Sequence, residues 1–197
     1  MFFDLETGGL DPAKRPIIQI AAIATDKAFN RLAEYERKVL FSEKHCRPDA
    51  LELTSYDPAL WAQEALHPDS VAVEFADFLS QHATVEMVGK KPPHRPYQVA
   101  RLVGHNAARF DGPFLSAWYK RRGRFVPATC YQPLDTYQLA LWHFSMAAGE
   151  SRPESMRLED LKEFYAIKVE GEAHDALHDV RATVEVAVHL LGKGEPS

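Results

Sequence analysis

The first third of the chain has the pattern of apolar and polar positions that is typical of β-strands. Met1–Phe3 leads directly into two acidic residues, Ile17–Ala24 is a continuous apolar run, and Glu34–Leu40 could pair with that run. The segment GGLDPAKRP between the first two runs is rich in Gly and Pro, which favour turns. The N-terminal third is therefore predicted to form strands.

Helical spacing follows further along the chain. Ser70–His82 places apolar residues at intervals of three and four, with Ser70 as the expected N-cap. The proline-rich basic segment 89–98 is predicted to be a loop, and Val99–Val103 a short strand. Further helices are predicted at Pro113–Arg122, Thr136–Ala147, Leu158–Tyr165 and Ala176–Leu191. Strands followed by helices and a further strand predict an α/β fold with a mixed sheet, with residues 1–197 forming one domain.

The composition excludes some classes of protein. No apolar run approaches the roughly 18–20 residues that a membrane-spanning helix needs, so no membrane contact is expected. An acid at position 4 argues against a secretory signal, and the two cysteines are too few for a disulfide framework, which favours the cytoplasm. The net charge of -5 argues against a non-specific polyanion binder. It leaves open a nucleic-acid enzyme whose acidic site recruits divalent cations.

Asp4 and Glu6 form the first candidate site. They stand two residues apart on a predicted strand, so both side chains project from the same face. Adjacent carboxylates repel each other, and a hard divalent cation between them would relieve that repulsion. The alternative is that the pair merely marks a strand end that faces solvent.

Asp111 forms the second candidate site, within the segment LVGHNAARFDGPFL. It follows an apolar strand and precedes Gly112-Pro113 and an amphipathic helix. A simple N-cap would explain it, because Pro is well tolerated in the first helical turn. His105 and Asn106 at the strand end could likewise be loop residues that only form hydrogen bonds.

The segment HDALHD, residues 174–179, forms the third candidate site. Residues five apart on a helix point about 140° apart, so His174 and Asp179 can share a site only if His174 precedes the helix. Asp175 is the natural N-cap, which makes Ala176 the first helical residue. His178 is expected to form local bonds or to lie in solvent.

Together the three segments resemble the motifs of the DEDDh (DnaQ-like) superfamily of 3′→5′ exonucleases. FDLETGGLDP matches the first motif, GHNAARFDGPFL the second, and HDALHD the third motif H-x-A-x-x-D. The resemblance spans roughly residues 2–191. It implies an RNase H-like fold, in which a mixed five-stranded sheet is flanked by helices.

The resemblance also implies roles for individual residues. Asp4, Glu6, Asp111 and Asp179 would hold two divalent metal ions, Mg²⁺ or Mn²⁺, and His174 would be the general base. The expected substrate is a nucleic acid with a free 3′ end, single-stranded DNA being favoured and RNA possible, and the product a nucleoside 5′-monophosphate. The expected substrate contacts are Thr7, Gly8, Leu10, His105, Asn106 and Phe110.

The sequence departs from the family pattern at two places. Gly8 stands where many members have a second threonine, which leaves open one potential hydroxyl contact to the terminal nucleotide, although the backbone amides remain available. The second motif carries one residue more between Asn106 and Phe110 than many relatives do. Neither departure touches an expected metal ligand.

Several secondary features have two interpretations each. The basic cluster YKRRGR at 119–124 could contact phosphates or could only favour the helix dipole. The basic residues of the loop at 90–95 could do the same or simply be solvated. Asp135 is predicted to be an N-cap rather than a fifth ligand, and QLALW at 138–142 a buried helix face rather than a docking motif.

Three functions remain open at this level. They are a DNA exonuclease of the proofreading or repair type, an exoribonuclease that trims RNA or oligonucleotides, and a nucleic-acid binding module without activity. The five intact site residues weigh against the last. The chain could also be a domain of a larger enzyme.

Overall fold

The computed structural model describes residues 1–146, 151–171 and 173–192. A five-stranded sheet in the order β3-β2-β1-β6-β7 forms its centre, and β4 and β5 form a separate hairpin. The strands are β1 Phe2–Thr7, β2 Ile17–Thr25, β3 Arg31–Lys38, β4 Val85–Val88, β5 Pro96–Val99, β6 Val103–Gly104 and β7 Leu134–Asp135.

The sheet is mixed, as predicted. β1 pairs antiparallel with β2, which pairs antiparallel with β3, whereas β1–β6 and β6–β7 are parallel pairs. Parallel strands need crossover connections, and helices supply them here. The predicted mixed five-stranded sheet with flanking helices is therefore confirmed.

Seven α-helices lie within the described ranges, together with a short 3-10 helix at Glu43–His45. None of these helices is both long and apolar enough to cross a bilayer. The α-helices are α1 Pro48–Leu53, α2 Pro58–Glu64, α3 Pro68–Gln81, α4 Asp111–Arg121, α5 Thr136–Met146, α6 Leu158–Phe164 and α7 Ala176–Leu190.

Strand β1 has a different layer of the core on each face. Phe3 and Leu5 pack with residues of α3 and α4, and Phe2 packs on the other face with residues of α7. Because successive side chains of a strand alternate between faces, Asp4 and Glu6 share the face of Phe2. The packing of α7 against this face brings the N-terminal turn of α7 towards both acids.

Two predicted helix starts are wrong. Helix α3 begins at Pro68 rather than after Ser70, and its N-cap is His67, whose ring accepts a hydrogen bond from the Asp69 amide. Asp111 is not an N-cap, because it is already the first helical residue of α4, and Phe110 occupies the cap position. Capping therefore does not explain the carboxylate of Asp111.

Three predicted strand boundaries also differ from the structure. The third strand runs over Arg31–Lys38 instead of Glu34–Leu40, and the strand expected at Val99–Val103 is divided between the ends of β5 and β6. The expected loop at 89–98 contributes Pro96–Val99 to the hairpin with β4. The predicted end of the fifth helix, Ala147, lies outside the described residues.

Candidate active site

The three motifs meet at one cavity of about 230 Å³ beside the carboxyl end of β1. Parallel strands β1 and β6 end at this edge, and helices α4 and α7 begin there. The wall opposite the sheet comes from α1. The predicted residues that line the cavity are Asp4, Glu6, Thr7, Leu10, His105, Asn106, Phe110, Asp111, His174 and Asp179.

Asp111 is the most deeply buried of the acids, with 3% of its surface exposed. Its place in the first turn of α4 points the carboxylate at β1, where the backbone amide of Leu5 hydrogen-bonds to it. Gly112 lets the start of α4 pack closely on Cys130, because a Cβ there would lie 2.4 Å from the carbonyl oxygen of that residue. A carboxylate buried this deeply requires a compensating charge or a proton.

Helix α7 begins where the sequence predicts. Asp175 is the N-cap, and its side chain accepts hydrogen bonds from the amides of Leu177 and His178. His174 stands before the helix in a left-handed conformation with φ of 62°, and its carbonyl oxygen accepts a hydrogen bond from the Ser55 amide. The condition that His174 lies outside the helix is therefore met.

This helix start brings His174 and Asp179 to one point. Together with Glu6 they offer ligand atoms that all lie within 4.8 Å of one another. Asp4 and Asp111 line the same cavity. All five residues expected from the motifs thus lie together, although more than 160 positions separate the first from the last in sequence.

Burial and neighbouring carboxylates raise the pKa of all four acids. Burial first, and then the charges of Asp111, Glu6 and Asp179, raise the pKa of Asp4 well above its usual value. Burial followed by neighbouring carboxylates raises the pKa of Glu6 to about 9. Burial is also the main cause that raises the pKa of Asp111 to about 7 and that of Asp179 to about 6. Repulsion on this scale would be relieved by positive charge in the cavity.

The donors in the cavity fit a hard divalent cation. Among the residues that the structure describes, the buried Oδ1 atom of Asp179 has no hydrogen-bond partner, which is costly for a carboxylate unless a cation completes it. The surrounding donors are mainly carboxylate oxygens, which Mg²⁺ and Mn²⁺ prefer. The site residues therefore fit the metal ions that the motifs imply.

A second acidic cluster, Glu159 with His178 and Asp179, also has ligand atoms within 4.8 Å of one another. Lys162 already neutralises this cluster, because its Nζ atom lies 3.0 Å from Glu159 and 2.8 Å from Nε2 of His178. A metal ion there would have to displace the lysine. The first cluster is therefore the better candidate.

His178 is buried, so the part of the prediction that placed it in solvent is wrong. Only 6% of its surface is exposed, and its Nδ1 atom lies 3.1 Å from the carbonyl oxygen of Glu170. A carbonyl can only accept, so Nδ1 carries the proton and Nε2 accepts from Lys162. Both ring nitrogens are occupied, as the expectation of local bonding requires.

Asp135 acts as the predicted N-cap and also holds the second motif in place. Its carboxylate accepts hydrogen bonds from the amides of Tyr137 and Gln138 in α5 and from those of Asn106 and Ala108 in the loop after β6. Asn106 adopts the left-handed conformation in this loop, with φ of 59°. Asp135 thus fixes the chain that leads to α4.

His105 lines the cavity, but both of its ring nitrogens are occupied. Nε2 lies 2.9 Å from the Met156 carbonyl and must donate to it, which leaves Nδ1 to accept from Oγ1 of Thr136 at 2.9 Å. Burial is the main cause that lowers the pKa of His105, which favours this neutral ring. In the described part of the chain, these bonds make His105 a residue that holds the loop after β6 in place.

The first motif contributes Gly9 and Leu10, rather than Gly8, to the lining of the cavity. The Gly8 amide donates to the carbonyl of Pro16 at 2.9 Å, and Gly8 is not among the residues that line the cavity, so the structure does not bring this expected contact to the site. Gly8 packs on Cys46, since a Cβ there would lie 2.4 Å from Sγ. Thr7 donates its hydroxyl to the carbonyl of Gly9, whereas Leu10 is 77% exposed at the cavity rim.

Gln19 in β2 has a role that sequence reasoning missed. Its side chain is fully buried, and Nε2 donates to Glu36 and to Oδ2 of Asp175, both at 2.9 Å. Gln19 therefore holds the cap of α7 against the sheet and so fixes the segment that carries His174. A lone polar residue within the apolar run Ile17–Ala24 is the signal that could have indicated this role.

The chain matches the exonuclease family (RNase_T) over residues 1–92 and 94–187, whereas no curated protein matches. A zinc-bound form of E. coli exonuclease I with single-stranded DNA superposes with a TM-score of 0.74 at 24% identity, covering 99% of this chain and 40% of that one. The same enzyme with a dT13 oligonucleotide gives 0.73 at 24% identity, covering 98% and 40%.

These likenesses establish the fold. The mixed five-stranded sheet with its flanking helices is RNase H-like, as the motifs implied. The chain spans about two fifths of the length of the matched structures, with 40% covered. The chain therefore corresponds to one part of that longer protein.

Proposed function

The chain belongs to the exonuclease family, which agrees with its DEDDh motifs, and on this basis we propose that it is a metal-dependent 3′→5′ exonuclease. The observation that carries the proposal is the meeting of four carboxylates and one imidazole in a single cavity, where one buried carboxylate oxygen has no partner within the described part of the chain. A binding module would gain nothing from this arrangement, because the clustered acids repel a phosphate backbone unless cations are present.

Asp4, Glu6, Asp111 and Asp179 would hold two divalent ions, Mg²⁺ or Mn²⁺. When bound, such ions activate a water molecule and stabilise charge on the leaving oxygen. The protein contributes a rigid frame for them: Asp111 is buried in the first turn of α4, and Asp179 is fixed in the first turn of α7. Glu6 and Asp4 reach them from a strand in the middle of the sheet.

His174 would be the general base that accepts a proton from the attacking water. An imidazole is suited to this step because its ordinary pKa of about 6.5 lies near neutral pH. The Ser55 amide and the cap at Asp175 hold the backbone on either side of the ring.

We favour single-stranded or frayed 3′ ends of DNA as the substrate. Support comes from the matched structures of exonuclease I, which hold single-stranded DNA and a dT13 oligonucleotide. Leu10 at the rim and Phe110 in the cavity wall could pack against the terminal base, since aromatic and apolar side chains stack on bases without sequence preference. RNA, and the cytoplasmic location inferred from the two cysteines, remain predictions.

A digestion assay tests the proposal. Single-stranded DNA, a mismatched duplex and RNA, each labelled at the 5′ end, are incubated with the protein in Mg²⁺ or in chelator. A ladder that shortens from the 3′ end only with metal, and that Asp4→Ala abolishes, is the expected result.

Two outcomes would overturn the proposal: no ladder on any substrate, or the same ladder from the Asp4→Ala protein. Faster trimming of RNA than of DNA would keep the chemistry and replace the substrate. Labelling at the 3′ end as well reveals any cleavage from the other end.

A further inference from the structure

A second cavity, of about 490 Å³, lies between α4 and the β4–β5 hairpin. We call it the aromatic-basic pocket. Its floor is formed by buried residues, among them Tyr119 of α4, and its rim by large exposed side chains. The rim residues that matter are Lys90, Tyr97, Arg101, Arg124, Phe125 and Tyr131.

The charge of the pocket is opposite to that of the chain. Three cations line it, Lys90, Arg101 and Arg124, and no carboxylate lies among the described residues that form it. The whole chain carries a net charge of -5. A local excess of positive charge on an acidic protein indicates a surface for an anionic partner.

The aromatic side chains at the rim of the pocket are exposed to solvent, so they contribute little to the stability of the fold. Phe125 is 64% and Tyr131 85% exposed, and the Tyr97 ring packs edge-on against Phe125 with ring centroids 5.7 Å apart. Aromatic faces between Lys and Arg side chains are typical of surfaces that stack the bases of single strands and pair with their phosphates. An acidic peptide would use the cations but would not need three aromatic rings.

Helix α4 contributes residues both to the pocket and to the active site. Cys130, the neighbour of Tyr131, has its carbonyl oxygen packed against Gly112, which follows Asp111 in sequence. Ser116, which lines the pocket, stands five residues after Asp111 on the same helix, or about 7.5 Å along the helix axis. Residues five apart on a helix also point about 140° apart, so the two cavities open on different sides of α4, and a strand that reaches both has to cross this helix.

We propose that the aromatic-basic pocket binds the single strand upstream of the nucleotide that is removed. This inference rests on the proposed function, because the active site must hold the 3′ end of the same strand. Phe125 and Tyr131 would stack on bases, and Lys90, Arg101 and Arg124 would contact phosphates. The pocket gives the enzyme a preference for longer strands over dinucleotides.

The affinity for a labelled oligothymidylate of 20 nucleotides, measured by fluorescence anisotropy in chelator, tests the inference directly. Because stacking on one aromatic ring contributes about 1–3 kcal/mol, Phe125→Ala should weaken binding by about 5–150-fold. Arg124→Glu should weaken it further and reduce its dependence on salt. Trp142→Ala, which removes a ring that is 70% exposed on α5, is the matched control and should bind like the native protein.

Hydrolysis then separates this inference from the proposed function. In Mg²⁺ the ratio of kcat/KM for the 20-nucleotide strand to kcat/KM for a dinucleotide should fall by the same factor of about 5–150 in Phe125→Ala, because only the longer strand reaches the pocket. Native protein that hydrolyses neither substrate would refute the proposed function. Native protein that is active, with variants that bind the long strand equally well, would refute the pocket.

A third outcome would assign the pocket to another partner. An acidic peptide with an apolar end can be added as a competitor in the same anisotropy experiment. If Phe125→Ala and Arg124→Glu abolish peptide binding but leave oligonucleotide binding intact, the pocket is a protein-docking site and the inference is wrong.

Discussion

Replacing Asp111 by Asn tests whether the charge of the acidic cluster destabilises the metal-free protein. Asp111 is 3% exposed, and burial, opposed by hydrogen bonds from backbone amides and joined by repulsion from Asp135 and Asp179, raises its pKa to about 7. Asparagine has nearly the same shape but never ionises. In the absence of metal, the variant should therefore be more stable than the native protein at a pH above 7.

The size of the effect follows from proton linkage. In the unfolded chain the carboxyl of Asp111 ionises near its ordinary pKa of 3.8, whereas in the fold it holds its proton up to about pH 7. The folded state binds more protons between these values, so its free energy of unfolding falls as the pH rises from about 4 to about 7 and stays low above that. A pKa unit corresponds to about 1.36 kcal/mol, which gives a loss of up to about 4 kcal/mol.

The gain expected for the asparagine variant is smaller than this limit. The amide keeps only part of the hydrogen bonding that the carboxylate receives, and an imperfect bond costs about 1 kcal/mol. We expect a gain of about 2–3 kcal/mol at pH 8 in chelator, or about 4–12 °C in Tm for a chain of this size. At pH 4 the two proteins should melt within a few degrees of each other.

Thermal unfolding followed by circular dichroism, at pH 4 and pH 8 and with chelator or excess Mg²⁺, measures these differences. Mg²⁺ should raise the Tm of the native protein at pH 8 and should raise that of Asp111→Asn much less, because a ligand is lost. Asp77→Asn on the exposed side of α3 is the control. An asparagine variant that is less stable at pH 8 in chelator, or one that Mg²⁺ stabilises as much as the native protein, would refute the reasoning.

Three further predictions concern neighbouring residues. His174→Ala should lower turnover by about 10²–10⁴-fold while Mg²⁺ still raises the Tm, and steady-state kinetics showing His178→Ala as the more damaging change would refute the assignment of the base. Gln19→Leu should lower the free energy of unfolding, measured with denaturant, by about 1–3 kcal/mol, because Asp175 loses a buried donor. The same variant should also lower kcat; unchanged kinetics would show that the bond stabilises the fold without positioning the site. Asp175→Ala should cost about 1 kcal/mol by the same unfolding measurement, since the cap of α7 is lost, and a neutral result would contradict that role.

Local patterns in the sequence determined how β1 and α7 place the residues of the site. The strand period placed Asp4 and Glu6 on one face, and the fold confirms it. The cap at Asp175 fixed the start of α7 and placed His174 outside the helix, as the structure has it. Both are encoded by residues within a few positions of each other, because alternation and capping are local interactions.

The tertiary structure alone decided the features that depend on distant partners. Gln19 bonds to Asp175 across 156 positions, and the amide of Gly8 donates to the carbonyl of Pro16. The burial of His178 depends on Lys162 in another helix. The aromatic-basic pocket likewise joins a hairpin, a helix and a loop that no sequence period connects. Such contacts depend on how the layers of the fold pack. Packing brings together residues that are distant in sequence, and no local sequence pattern relates them to one another.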